Sequence, residues 1–244
     1  MKEIHNWDAW IGTDEAGKGD YFGPLVVAAV YVDAECRESF SDLGIADGKT
    51  LSNRRIRNLA ESMHHHYERH IVVVKRMPTE YNSLYNDFRR RGQNLNHLLA
   101  SLHAEAMHTL ATRVDAQHVL VDRFSKDDLI TQQLYQRMKE KQPSQHGTSD
   151  PLQTVIFRGV SLGMKIIQIP KAERDIAVAA ASIIARDAFL NAMDTLSEKY
   201  EIRLPRGSYQ VVDAGREFVA SHGNEALGQV AKLHFSLTDA VRAF

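Results

Sequence analysis

The sequence predicts an α/β protein with a mixed five-stranded sheet flanked by helices. Two β-forming runs, residues 10–17 and 23–35, open the chain close together. Three more apolar runs then alternate with stretches of helical periodicity. Strands that begin as a hairpin and later alternate with helices favour a sheet that is first antiparallel and then parallel.

The first two strands read as a hairpin around a glycine-rich turn. "WIGTDEAG" and "GPLVVAAVYVDAE" have the composition of strands, and Gly17, Gly19 and Gly23 occur in or beside the turn that joins them. A helix over residues 52–69 follows, with Ser52 able to cap its N-terminus. Its apolar positions recur at helical spacing: Ile56, Leu59, Ala60 and Met63.

The later elements alternate. "HVLVDRF" is a short apolar run ending in a carboxylate, as a buried strand does. The polar, proline-containing stretch 141–153 predicts a long surface connection. The remaining predicted elements are a strand (70–77), a short helix (78–88), a long helix (94–114), a strand (118–124), a helix near 128–140, a strand (164–170) and an alanine-rich helix (173–200).

Composition is that of an ordinary globular protein. The 244 residues are 43% hydrophobic and 25% charged, with a net charge of −1, so no global positive field indicates a nucleic-acid partner. Cys36 is the only cysteine, which excludes a disulfide framework and a thiolate cluster. Neither a signal peptide nor an apolar run of membrane-spanning length is evident. We expect a single domain over residues 1–244, acting as a cytoplasmic monomer without a membrane partner.

Two glycine-rich segments resemble phosphate-binding loops without matching them. In "GKGDYFG" the third glycine comes one residue late, and a strand follows where a dinucleotide site needs a helix. "GIADGKTLS" (44–52) is one residue shorter than a P-loop and has no strand directly before it. A nucleotide hydrolase using Lys49 stays an alternative, but it leaves the acids described next without a role.

Carboxylates occur where several predicted elements begin or end. Asp14 and Glu15 end the first strand, Asp122 ends the strand "HVLVD", and Glu173 begins the alanine-rich helix. Divalent cations such as Mg²⁺ bind through a few carboxylates from separate elements, and ligands gather at strand ends in open sheets. For each acid alone, a cap or turn role explains its position equally well. The pattern by itself therefore leaves both interpretations open.

Adjacent side chains on a regular strand face opposite sides of the sheet, so Asp14 and Glu15 should diverge. We expect both to reach one metal pair only if the backbone turns there, which Gly17 and Gly19 permit. Asp14 is therefore the stronger candidate for a shared ligand.

The chain resembles the type 2 ribonucleases H, and more specifically ribonuclease HIII. The resemblance runs nearly the whole length, in order. Its motifs are "GTDEAGKGDYFGPLVVAAVYV", "DGKTLS", "YNSLYNDFRRRGQNLNHLLASLHAEA", "VLVDRF", "KAERDIAVAAASIIARDAFL", "LPRGSYQVVDAG" and "VAKLHF". "GDYFGP", the asparagine-rich segment and "KAE" favour ribonuclease HIII over HII.

The resemblance implies a ribonuclease H-like fold with a helical C-terminal part, and an endonuclease that cuts the RNA strand of RNA–DNA hybrids with two Mg²⁺ or Mn²⁺ ions. It implies 5′-phosphate and 3′-hydroxyl products, with Asp14 bridging the ions. The implied metal ligands and catalytic residues are Asp14, Glu15, Asp122 and Glu173. The implied substrate-binding residues are Gly17, Lys18 and Gly19 along the ribose–phosphate backbone, and Lys49 near a phosphate.

Two departures from the family pattern bear on substrate. Family members typically carry an N-terminal substrate-binding domain, whereas the motif begins at residue 12 here. We expect that domain to be missing, with weaker hybrid affinity or compensation by Arg54, Arg55, Arg57 and Arg89–Arg91. Lys18 stands where ribonuclease HIII has a threonine and is closer to HII. Cleavage at single embedded ribonucleotides, or a non-catalytic hybrid-binding module, is therefore the alternative.

Overall fold

The computed structural model describes residues 4–45, 51–125, 128–140, 155–157, 160–162 and 164–243. A mixed five-stranded sheet has the strand order β3-β2-β1-β4-β7, which confirms the predicted α/β architecture with a mixed five-stranded sheet. A separate two-stranded ribbon pairs β5 with β6. The strands are β1 (Trp10–Ala16), β2 (Leu25–Val32), β3 (Ile71–Arg76), β4 (His118–Asp122), β5 (Val155–Phe157), β6 (Val160–Leu162) and β7 (Lys165–Ile169).

The direction of pairing changes at β1. This strand pairs antiparallel with β2, which pairs antiparallel with β3, whereas on its other side β1 pairs parallel with β4 and β4 parallel with β7. Antiparallel strands thus come first along the chain and parallel strands later, as the sequence predicts. The carboxyl ends of the parallel strands β1, β4 and β7 consequently lie at the same end of the sheet.

Helices cover both faces of the sheet and close two cores. The helices α1, α2 and α6 pack with Trp10 and Val30 on one face. On the other face, α3, α4 and α5 pack with Ile11 and Val27. The helices are α1 (Ala34–Asp42), α2 (Asn53–Tyr67), α3 (Pro78–Arg90), α4 (Leu95–Ala111), α5 (Leu129–Glu140), α6 (Ile176–Lys199), α7 (Val212–His222) and α8 (Thr238–Arg242).

The helix α6 lies directly on β1 because Gly12 has no side chain. A Cβ at Gly12 would stand 2.3 Å from the carbonyl carbon of Ala177, well inside van der Waals contact. By length and composition alone α6 could cross a membrane, but 67% of its most apolar window is buried inside the protein. Within the described residues, α6 is therefore the central helix of a core.

Several elements differ from the sequence prediction: the β5–β6 ribbon was not predicted, and the alanine-rich helix begins at Ile176 instead of residue 173. The second strand ends at Val32 instead of continuing to residue 35, because the Asp33 carboxylate accepts from the backbone N–H of Cys36 and caps α1. The helix α1 was not predicted, although Cys36 and Phe40 are buried at helical spacing. The C-terminal helices α7 and α8 confirm the predicted helical C-terminal part. The predicted connection 141–153 lies outside the described residues.

Candidate metal centre

The candidate site opens where β1 and β4 separate. Their parallel pairing joins Ile11–Thr13 to Val119–Val121 and stops there. Asp14 and Asp122 are the next residue on each strand. Both carboxylates therefore stand at the carboxyl ends of neighbouring parallel strands, which is where open α/β sheets bind their ligands.

Glu173 lies at the same site and comes from the turn that follows β7. After β7 the chain turns at Lys171, whose φ of 58° is left-handed, and enters a short 3₁₀ turn over Ala172–Arg174. The backbone N–H of Ala172 donates to Asp122 Oδ1 at 3.2 Å. This bond ties the turn that carries Glu173 to the strand that carries Asp122.

Asp14 and Glu15 lie on opposite faces of β1, as strand periodicity predicts. Both stay in register with β2, so the backbone does not turn at this pair; the turn follows at Gly17. Asp14 faces α6 and is hydrogen-bonded to Ser182. Glu15 faces α4, and its Oε2 lies 3.3 Å from His103 Nε2.

Despite this divergence, all four acids line one pocket of about 560 Å³. Asp14 and Glu15 lie near the carboxyl end of β1, where the sheet ends. A long side chain such as that of Glu15 can therefore extend past the end of the strand into the pocket. The sequence-predicted residues brought together here are Asp14, Glu15, Asp122, Glu173 and Gly17. The pocket also contains Ala16, Asp20, Ser182, Arg186, Phe189, Arg206 and Gly207.

The carboxylates of the pocket are crowded and buried, which favours the binding of cations. Burial, and next the negative charge of Glu15, raise the pKa of Asp14 to about 8, and Asp122 adds to the effect. Burial also acts to raise the pKa of Glu15, but His103 and Lys18 outweigh it and lower that pKa. Four carboxylates from three elements, two of them on β1, provide the hard oxygen donors that Mg²⁺ and Mn²⁺ prefer. The residues present therefore fit divalent cations.

The turn after β1 is braced from the C-terminal part of the chain. The Asp20 carboxylate accepts from Gly207 N–H at 2.7 Å, and Gly23 N–H donates to Val230 O at 2.8 Å. The buried Lys232 ammonium donates to Gly23 O at 2.7 Å, with longer contacts to the carbonyls of Phe22 and Pro24. The turn is thus held as a rigid rim of the pocket.

The predicted substrate-binding residues occupy different positions on this rim. Gly17 lines the pocket. Lys18 lies beside it, with its Nζ 3.6 Å from Glu15 Oε1. Gly19 has nothing within 4 Å of where a Cβ would stand, so it faces open space. Lys49 lies outside the described residues.

Sequence reasoning missed several polar residues of the pocket. Ser182 and Arg186 are one helical turn apart on α6 and interrupt its apolar sequence. That spacing in an otherwise alanine-rich helix was an available signal. Asp20 and Arg206, by contrast, come from loops, where no periodicity exists to indicate which way a side chain points.

A second group of possible ligands lies at the other end of the sheet. Cys36 Sγ is 3.2 Å from His70 Nδ1, and Asp33 Oδ1 accepts from Cys36 N–H at 2.9 Å. Burial raises the pKa of the Cys36 thiol to about 12, which disfavours the thiolate that metals bind. These hydrogen bonds account for the grouping as a structural network.

Comparison with protein families gives one match that spans almost the whole chain: residues 11–238 match the model for ribonuclease HII. The ribonuclease HIII of Protochlamydia amoebophila is 37% identical over 232 residues, covering 95% of this chain and 67% of that protein. The ribonuclease HIII of Chlamydia pneumoniae is 35% identical over 233 residues, covering 95% of this chain and 69% of that protein.

Solved structures give the same picture. The Mn²⁺ complex of Bst-RNase HIII superposes with a TM-score of 0.77 at 30% identity, covering 96% of this chain and 69% of that one. The ribonuclease H2 of Pyrococcus horikoshii superposes with a TM-score of 0.72 at 21% identity, covering 96% and 97%, and supports the fold alone.

Proposed function

The chain belongs to the ribonuclease HII family and is a metal-dependent ribonuclease H, and we propose that it cuts the RNA strand of RNA–DNA hybrids at the four-carboxylate pocket. The observation that carries this proposal is the convergence of Asp14, Glu15, Asp122 and Glu173 in that pocket. Two of them come from β1, one from β4 and one from the 3₁₀ turn after β7, and the donor set suits divalent cations.

We assign the four carboxylates as the ligands of two Mg²⁺ or Mn²⁺ ions. Bound divalent ions supply activation of the attacking water and stabilisation of the leaving 3′-oxygen, which yields 5′-phosphate and 3′-hydroxyl ends. Asp14 is electrostatically coupled to both Glu15 and Asp122, so it is the carboxylate best placed to be shared. Ser182 and the Glu15 backbone N–H hold it in position.

Substrate contact is assigned to the braced turn beside these acids. Gly17 and Gly19 present backbone groups without an intervening side chain, which suits recognition of a ribose 2′-hydroxyl. Lys18 supplies a positive charge beside Glu15, and Lys49 is proposed to bind a phosphate of the strand. Cleavage at single embedded ribonucleotides is a second candidate, favoured by the basic residue at position 18.

The same proposal includes a single domain over residues 1–244 that acts as a cytoplasmic monomer with RNA–DNA hybrid as its partner and no membrane. Support for one domain comes from Trp10 and Val241, which belong to the same buried cluster although they lie near opposite ends of the chain.

Replacing Asp14 by Asn is the direct test. Asn keeps the size of the side chain but removes the charge that the cations need, so we expect at least a hundredfold loss of hybrid cleavage in Mg²⁺ and in Mn²⁺ while the fold stays intact. The measurement is strand cleavage of an end-labelled RNA–DNA hybrid. A duplex with one embedded ribonucleotide, run in parallel, decides between the two candidate substrates.

Asp42→Asn is the matched control, because Asp42 is an exposed acid at the end of α1 and distant in sequence from all four ligands. Its cleavage rate should equal that of the parent protein. Full activity of Asp14→Asn would reject the metal-site assignment. A parent protein that binds hybrid but never cleaves it would instead identify a binding module.

A further inference from the structure

Glu15 presents a geometric problem for the proposed function, because it points to the opposite face of β1 from Asp14. A flexible glutamate on that face has other rotamers available. A neighbouring side chain must therefore hold its carboxylate at the carboxyl end of β1, where the pocket lies. The residue in contact with its carboxylate from the protein interior is His103, on α4, whose side chain is only 1% exposed.

We propose that His103 is a positioning residue that aims the Glu15 carboxylate into the metal pocket. The inference rests on the proposed function of that pocket. His103 Nε2 lies 3.3 Å from Glu15 Oε2, and His103 Nδ1 lies 2.9 Å from Thr13 Oγ1. Thr13 and Glu15 are alternate residues of β1, so one imidazole bridges two successive positions on the same face of the strand.

The partners of the ring fix its hydrogen-bonding direction. A carboxylate can only accept, so the proton between His103 and Glu15 belongs to Nε2. In the neutral ring, Nδ1 is then the acceptor, and the Thr13 hydroxyl donates to it. Thr13 is fully buried, so this bond also satisfies a hydroxyl that has no access to water.

Neighbouring side chains hold the ring in place. The Phe124 ring stacks on His103 with centroids 5.3 Å apart and planes 21° apart. Lys18 Nζ lies 5.3 Å from the centroid of the same Phe124 ring and 3.6 Å from Glu15 Oε1. Glu15 is therefore held from the interior by His103 and from the solvent side by Lys18. Phe124 follows Asp122 by two residues. The segment that carries one of the proposed metal ligands therefore also carries the ring that packs on His103.

Side chains that orient a metal ligand typically change metal affinity or activity by about 10- to 100-fold when they are removed. A histidine that merely fills the core would change stability alone. The affinity for Mn²⁺ in the absence of substrate distinguishes a histidine that positions Glu15 from one that only fills the core, because that measurement does not depend on catalysis.

The experiment compares His103→Phe with His103→Gln. Phe keeps the packing against Phe124 but has no donor, whereas the Gln amide nitrogen reaches the position of Nε2. We expect His103→Phe to bind Mn²⁺ about 10- to 100-fold more weakly by calorimetric titration, and to need correspondingly more Mg²⁺ for half-maximal cleavage. The KM for hybrid should not change, and His103→Gln should recover most of the affinity.

His108→Phe is the matched control, since His108 is also a buried histidine on α4 and lies five residues beyond His103. It should leave Mn²⁺ affinity unchanged. If His103→Phe fails to fold, His103→Gln is compared with His103→Asn, whose shorter amide does not reach Glu15; equal Mn²⁺ affinities in that pair would overturn the proposal.

A double-mutant cycle with Glu15→Gln tests whether His103 acts through Glu15. If it does, His103→Phe should have little further effect on Mn²⁺ affinity once Glu15 is neutral. Additive effects, or parental Mn²⁺ affinity in His103→Phe, would overturn the inference. The proposed function fails separately, if the parent protein does not cleave hybrid or Asp14→Asn still does.

Discussion

Gly17 is the residue at which the strand β1 becomes the rim of the pocket. Its φ is +87°, and a Cβ there would stand 2.2 Å from the carbonyl oxygen of Pro24 and 2.9 Å from the Phe189 ring. Any side chain would therefore meet both an unfavourable backbone conformation and a backbone atom that cannot move aside. Glycine at this position is therefore a requirement of the fold.

Gly17→Ala should reduce the free energy of unfolding by about 1–3 kcal/mol, because a strained φ and a steric overlap act together. Urea denaturation measures this change. Gly19→Ala is the control: nothing lies within 4 Å of its Cβ position, so its stability should change by less than about 0.5 kcal/mol. If Gly19→Ala nevertheless weakens hybrid cleavage, the loss reflects substrate contact; equal stability of the two variants would contradict the steric account.

At the scale of elements, the contact between β1 and α6 sets the position of the site. Asp14 is carried by β1, and Ser182 and Arg186, which line the same pocket, are carried by α6. The spacing between these two elements depends on Gly12, where a Cβ would come within 2.4 Å of the Val178 nitrogen. Both atoms that would be displaced belong to the backbone, so rotamer changes cannot relieve the overlap.

Gly12→Ala should therefore displace α6 from the sheet and reduce the free energy of unfolding by about 1–3 kcal/mol. Cleavage should also fall, because Ser182 would no longer reach Asp14. Chemical denaturation and the rate of hybrid cleavage by the refolded variant measure the two effects. A variant as stable as the parent would show that α6 does not pack as closely on β1 as described.

At the scale of the whole molecule, the acidic pocket opposes folding when no cation is bound. Burial and the charge of Glu15 raise the pKa of Asp14 to about 8, whereas an aspartate in an unfolded chain titrates near pH ~4. Between these values the folded protein holds a proton that the unfolded chain releases. The contribution of Asp14 to the stability of the metal-free protein should therefore fall as pH rises through this interval.

Burial lowers the pKa of His234 and of Lys232, which makes stability rise with pH over part of the same interval in both proteins. We therefore expect the thermal midpoint of the EDTA-treated parent to decrease between about pH 5 and pH 8 relative to that of Asp14→Asn, in which the group that titrates is gone. Mn²⁺ should raise the midpoint of the parent most at pH 8, since a ligand that binds only the folded state stabilises it. An identical slope in the parent and in Asp14→Asn would contradict the assignment of the raised pKa to Asp14.

Much of this architecture could be predicted from local pattern. Strand and helix periodicities gave the five strands of the sheet and the long helices in the right order, and the ordered motifs indicated the family. The helix α1 was missed because the apolar run of β2 leads into it without a break other than the cap at Asp33. Boundaries of this kind depend on a single side-chain hydrogen bond, which composition does not show.

The sequence by itself determined that Asp14 and Asp122 stand near strand ends, because periodicity within a strand fixes where a buried position gives way to solvent. Glu173, predicted to begin the long helix, lies instead in the 3₁₀ turn before it. Only the tertiary structure decided that Glu15, on the opposite face of β1, lines the same pocket. Its contact with His103 joins residues 88 positions apart. Such a contact is set by how α4 packs on the sheet, and no local pattern encodes that distance.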